Sequence, residues 1–186
     1  MTRFLFRGAM AGTLALTMVS AGAQEMSEKR VETHTDWSVF VETDPPQCWI
    51  VSAPKETVNT KDGRVVSVKR GEIMLFANYQ PDRGPGPVIS LTGGYPYADD
   101  STVSVVIGED SFELFTLAED DAATPWPENE YTWPEPSDDA RLLAAMKRGT
   151  TAVVTGRSAR GTVTKDTFSL FGFTAALEDA EKRCGG

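Results

Sequence analysis

Histidine is all but missing from this chain: among 186 residues His34 is the only one. A nucleophile–histidine–acid triad needs an imidazole held rigidly beside its nucleophile, and a histidine-based zinc site needs a second ligand of the same kind. His34 lies in Gln24 to Thr35, a polar and charged stretch without apolar period. That stretch reads as a flexible leader, with His34 as a bystander in it. Long apolar runs are missing too. The one run, Ala9 to Val19, is short for a bilayer. It follows Arg3 and Arg7 and precedes Ala21-Gly22-Ala23, the order of basic start, apolar centre and small-residue cleavage site found in a secretory signal. Cleavage is expected after Ala23, with no transmembrane segment left afterwards.

Cysteine is nearly as scarce, with Cys48 and Cys184 the only two. In an exported chain they most simply pair with each other, and such a bond would close a very long loop. Two free thiols or a bridge between chains is the alternative. Positive charge is in deficit: 18 Lys and Arg stand against 27 Asp and Glu, a net −9. The balance turns more negative once Arg3 and Arg7 leave. Such a surface repels phosphate backbones and anionic headgroups, which argues against nucleic acid as a partner.

What is present is β patterning in a length suited to one domain, 36–186. Trp37, Val39 and Val41 alternate with Ser38, Phe40 and Glu42 and should begin the fold, and Cys48 to Ser52 is a second strand. Thr57 to Gly63 reads as a polar turn. Arg64 to Lys69, Ile73 to Tyr79 and Val88 to Thr92 read as β-rich runs. Thr102 to Ile107 and Ser111 to Leu117 form a hairpin about Gly108-Glu109-Asp110. Ala118 to Pro136 contains four prolines, which argue against a central strand or a helix. A helix follows, capped by Ser137, with Leu142, Leu143 and Met146 on its apolar face and Gly149 at its stop. Thr151 to Arg157 and Thr162 to Leu170 make a last hairpin. Phe173, Leu177, Ala180 and Cys184 then fall on one stripe of a C-terminal helix. The expected fold is mainly β: a single antiparallel, jelly-roll-like sandwich with one helix before the last hairpin and a short C-terminal helix. A closed barrel is the alternative.

Candidate chemistry is thin, and no catalytic residue, metal ligand or cofactor is assigned. Ser52-Ala53-Pro54-Lys55 has the S-x-x-K form but ends a strand where that motif should open a helix. Asp99-Asp100, Glu119-Asp120-Asp121 and Asp138-Asp139 are carboxylate pairs or runs. Helix capping explains the last, and solvated loops the others; Glu119 to Asp121 lacks the alternation of a calcium loop. The binding candidate is Trp126, Tyr131 and Trp133, aromatics stiffened by prolines and suited to a glycan or an extended peptide. These rings folding back over an open end of the sandwich is the plainer reading.

Three blocks carry a family resemblance: Arg157 to Leu177 (RSARGTVTKDTFSLFGFTAAL), Ala144 to Gly156 (AAMKRGTTAVVTG), and the early W-S-V-F-V…C-W-I-V-S-A-P. Together they resemble the bacterial invasion-associated locus B family. The resemblance implies a small exported β-rich protein, periplasmic or surface-associated, non-catalytic, and in pathogenic members linked to host-cell entry. It brings no catalytic residues. The functional expectation is an exported interaction protein of the bacterial envelope that contacts a protein or envelope component. A periplasmic lipid or glycan carrier and a carboxylate-dependent cell-wall hydrolase are the alternatives.

Overall fold

Alternating side chains carry most of the structure. The computed structural model describes residues 29–44, 46–79, 86–99, 101–116 and 129–184. The expected signal, 1–23, and the start of the expected leader lie outside them. The sheet begins at β1 (Arg30–His34), earlier than the apolar alternation indicates, because β1 is an exposed edge with nothing apolar to bury on one face. It pairs with β2 (Trp37–Thr43), which pairs with β3 (Pro46–Ser52). β6 (Met74–Tyr79) and β7 (Val88–Thr92) continue this layer.

The second layer holds the hairpin β8 (Val103–Ile107) and β9 (Asp110–Phe115), then β11 (Thr151–Arg157) and β12 (Val163–Ser169). It ends at β4 (Glu56–Lys61) and β5 (Arg64–Val65). The sequence reading of Thr57 to Gly63 as a turn is corrected here. β4 is a strand in which Thr57 and Asn59 pair with the buried Asp166 and Thr164 of β12. None of its own residues is buried and the side it shares with them is polar, so no apolar alternation betrays it. The turn proper is Asp62-Gly63, both at positive φ (51° and 73°), the two-residue geometry that tight hairpins favour.

Among the described residues β10 (Tyr131–Pro134) joins the layers into one antiparallel sheet of 12 strands, in the order β1-β2-β3-β6-β7-β10-β9-β8-β11-β12-β4-β5. Tyr131 and Thr132 pair with Thr92 and Leu91 of β7, while Trp133 and Pro134 pair with Phe115 and Leu114 of β9. The expectation that prolines bar a central strand fails at this point. Pro134 is the last residue of β10, where its missing N–H removes a donor only at the ladder's end. β1 and β5 are edges, so the sheet is an open sandwich and not a closed barrel.

Between the layers lies one core containing Val39, Ile50, Leu75, Ile89, Val105, Phe112, Leu114, Val154 and Phe168, all 2% exposed or less. Trp37 spans it, donating from Nε1 to the Ser169 carbonyl at 3.0 Å and meeting Phe173 edge-on at 4.9 Å.

Helix α1 (Asp139–Arg148) buries Leu142, Ala145 and Met146, with Leu143 packed against them. Its N-cap is Asp138 and not Ser137, and it makes no side-chain cap bond. The Asp138 carboxylate instead accepts from Arg141 at 3.1 and 3.2 Å. Gly149 ends the helix as expected, for another reason: its φ of −78° suits any residue. A Cβ there would lie 2.4 Å from Ile107 Cγ2 and 2.9 Å from Leu170 Cδ1. Gly149→Ala should therefore destabilise the fold by about 1–3 kcal/mol through overpacking, read as a lower urea midpoint. An unchanged midpoint would show that Ile107 and Leu170 yield without strain.

Helix α2 (Phe173–Cys184) buries Phe173, Ala176, Leu177 and Ala180 against the inner face of the first layer. Its final residue is bonded to β3 by the disulfide Cys48–Cys184, with Cα atoms 6.0 Å apart across 136 residues of sequence. His34 is not a loose bystander. It closes β1, and its Nε2 lies 3.4 Å from Asp179 Oδ2 on α2.

Candidate functional site

Of the aromatic trio, Trp126 lies outside the described residues, as do Glu119 to Asp121. Tyr131 and Trp133 are not in a loop. They alternate on β10 with the buried Thr132 and Pro134 and therefore point away from the core. Their ring centroids are 6.2 Å apart with planes tilted by 32°. Phe76, pointing outward between the inward Leu75 and Ala77 of β6, lies 6.4 Å from Tyr131. Phe115 of β9 is the ladder partner of Trp133 and is 39% exposed. A further pair, Phe40 and Trp49, stacks at 5.4 Å on the same outer face of β2 and β3.

The outer face of the sheet, where β10 joins the two layers, thus bears an aromatic row, Phe76–Tyr131–Trp133–Phe115, with the buried hydroxyls of Ser90 and Thr92 between β6 and β10. Asn78 Nδ2 donates to Ser90 Oγ at 2.9 Å. Burial pushes the Tyr131 phenol above its ordinary value, and the nearby Glu130 and Glu72 push it further. Two stiff, half-buried rings with one wet edge each are good contact groups. Phe76 and Phe115 escaped the sequence reading. Each looks like an ordinary strand residue until the strand order sets it beside β10.

A second constellation is interior. Arg70, on the connection between β5 and β6, reaches across to Asp166 of β12 and forms a two-pronged ion pair at 2.7 and 2.6 Å. The two side chains are 6% and 3% exposed. Arg70 Nε also donates to the Gly93 carbonyl at 2.8 Å, and Nη1 to Asn59 Oδ1 at 3.3 Å. The Tyr95 ring covers the guanidinium at 5.0 Å and hydrogen-bonds Thr164 at 2.6 Å. Tyr97 packs edge-on against Tyr95. Burial raises both phenols, Tyr97 the more strongly. Every polar group around Arg70 is engaged, which suits a structural brace. Sequence reading passed over Arg70, because no local pattern pairs it with a residue so far along the chain.

The other candidates are dispersed. Ser52 donates to the Ala53 carbonyl at 3.3 Å while Lys55 pairs with Asp36, so the S-x-x-K residues do not converge. Asp99 is exposed, and its neighbour Asp100 lies outside the described residues. Asp138 and Asp139 open α1; burial, with Asp138 adding to it, raises the Asp139 carboxyl. Among the described residues no group of three metal-ligating side chains converges. No helix among them is long and apolar enough to cross a membrane.

No curated protein matches the chain. The crystal structure of invasion associated protein B from Bartonella henselae is similar in fold, with a TM-score of 0.51 at 17% identity. The similarity covers 81% of this chain and 95% of that one. The family model described as Invasion associated locus B (IalB) protein matches residues 129–181, from the approach to β10 through most of α2. Over that segment the chain is similar to the invasion associated locus B family.

Proposed function

We propose that this protein is an exported, non-catalytic interaction module of the bacterial envelope, contacting a protein or envelope component through the outer face that holds Tyr131 and Trp133. The observation that carries this reading is the aromatic row Phe76–Tyr131–Trp133–Phe115, presented on a rigid sheet. Aromatic anchors held by a ladder lose little freedom on binding, the property of interface hot spots. The disulfide supports an oxidising compartment, periplasmic or beyond. The family is associated with invasion and is not one of known enzymes.

The carrier alternative draws less support. A ligand between the layers would compete with Trp37, Phe112, Phe168 and Phe173, each 1% exposed or less. Crosslinking from intact envelopes, with the captured components identified by mass spectrometry, tests the proposal. The wild type should capture a discrete component, and Trp133→Ala should weaken capture by about tenfold or more. Equal capture by Trp133→Ala and Tyr131→Ala would move the contact off this face. Turnover of a defined substrate would end the non-catalytic reading.

A further inference from the structure

The net charge of −9 hides an uneven distribution. The register of the second layer sets Arg157, Val163, Thr60 and Val65 in one row across β11, β12, β4 and β5. Thr155, Lys165 and Val58 form the next row. Lys61 and Arg64 face each other at the base of the Asp62-Gly63 turn, on the side of the ribbon opposite Thr60 and Val65, and Arg160 lies in the turn between β11 and β12. Two hairpin tips therefore meet at one corner of the sandwich. Val65 is 77% exposed there, more than any other large hydrophobic residue described, and Val58 and Val163 are exposed beside it. Lys61, Arg64, Arg157, Arg160 and Lys165 make no ion pair among the described residues. The acids nearby are Glu56 and Asp62 on the same hairpin, and Asp99 on the loop whose Ala98 N–H binds the Arg157 carbonyl.

We propose that this corner docks onto an anionic lipid bilayer. Unpaired cations attract a negative surface, and exposed branched aliphatics beside them gain by passing below the headgroups. Nucleic acid would use the cations but not the valines. An apolar protein partner would use the valines but leave the cations desolvated and unpaired, which is costly. Charge supplies an orientation as well: the remaining, acidic faces are repelled from the bilayer, so the hairpin tips point down. The corner is distinct from the aromatic face, and either assignment can fail without the other.

The test is co-sedimentation of the oxidised protein with vesicles of phosphatidylcholine alone, or of phosphatidylcholine and phosphatidylglycerol in equal parts. The protein should pellet only with the mixed vesicles, and salt should release it. Lys61→Gln combined with Arg64→Gln should weaken partitioning by at least about tenfold, from roughly fivefold per cation near an anionic surface. Val65→Ser should weaken it while preserving the salt dependence. Lys147→Gln with Lys182→Gln, on the two helices, should leave it unchanged. Far-ultraviolet circular dichroism confirms that each variant is folded. No binding to mixed vesicles, equal binding to neutral ones, or indifference to the Lys61 and Arg64 changes would overturn the proposal. So would duplex DNA bound as tightly as vesicles, or release by inorganic phosphate beyond that by chloride of equal ionic strength.

Discussion

Replacing Asp166 with alanine should lower the stability of the fold by about 3–5 kcal/mol, the range found when one partner of a buried ion pair is removed. The substitution strands the Arg70 guanidinium, 6% exposed and drawn across the sandwich, with only the Gly93 carbonyl, Asn59 Oδ1 and the Tyr95 ring for company. Arg70→Ala should cost a similar amount, because it leaves a buried carboxylate. The two changes should not add. Arg70→Met combined with Asp166→Leu removes both charges, keeps most of the volume, and should recover much of the loss. Equilibrium urea unfolding of the four proteins, with Arg70→Ala/Asp166→Ala as a fifth to close the cycle, measures these losses. If Asp166→Ala loses less than about 1 kcal/mol, the value of an exposed pair, the brace is not holding the layers. For a domain whose whole stability is about 5–15 kcal/mol, the expected loss is a large share.

Reducing the Cys48–Cys184 bond is the other change with a large expected effect. The bond closes 136 residues, and chain-entropy reasoning assigns such a closure up to ~5 kcal/mol, with about 2–5 kcal/mol usual when a native bridge is lost. Structure modulates that figure. The start of α2 is held independently by Phe173 against Trp37, so the last turn, near Ala180, should loosen first. Guanidinium unfolding with and without reductant measures the total. Amide exchange along 173–184 should rise towards the C-terminal end. A midpoint indifferent to reductant would show that burial of Phe173, Ala176, Leu177 and Ala180 suffices alone.

Much of the fold could be read directly from residues. The β8–β9 and β11–β12 hairpins, both helices and the sulfur bridge follow from local period, turn residues and the cysteine count. What escaped has a common cause. β4 shows its inner side to Asp166 and Thr164, so its Thr57 and Asn59 look like turn residues until β12 is beside them. β10 is only four residues long and ends in proline, yet its two neighbours make it central. β1 is exposed and polar, and what identifies it is pairing with β2. The candidate site was half legible for the same reason. Tyr131 and Trp133 stand out beside their prolines, whereas Phe76 and Phe115 join them only through strand order. Net charge misleads in a related way: it is a sum over the chain, while the register decides where Lys61, Arg64 and Lys165 gather.

The path of the chain through its sheet also governs when the protein can close. β4 waits beside the far edge for β12, and Thr60 meets the Val163 carbonyl across 103 residues. Trp37 waits for Ser169 across 132, and Cys48 for the final turn of α2. A ribosome delivering this chain in order therefore releases β4, Trp37 and Cys48 long before these partners exist. Contacts of such long range form slowly, so the completed sandwich belongs to the moment after Cys184 emerges.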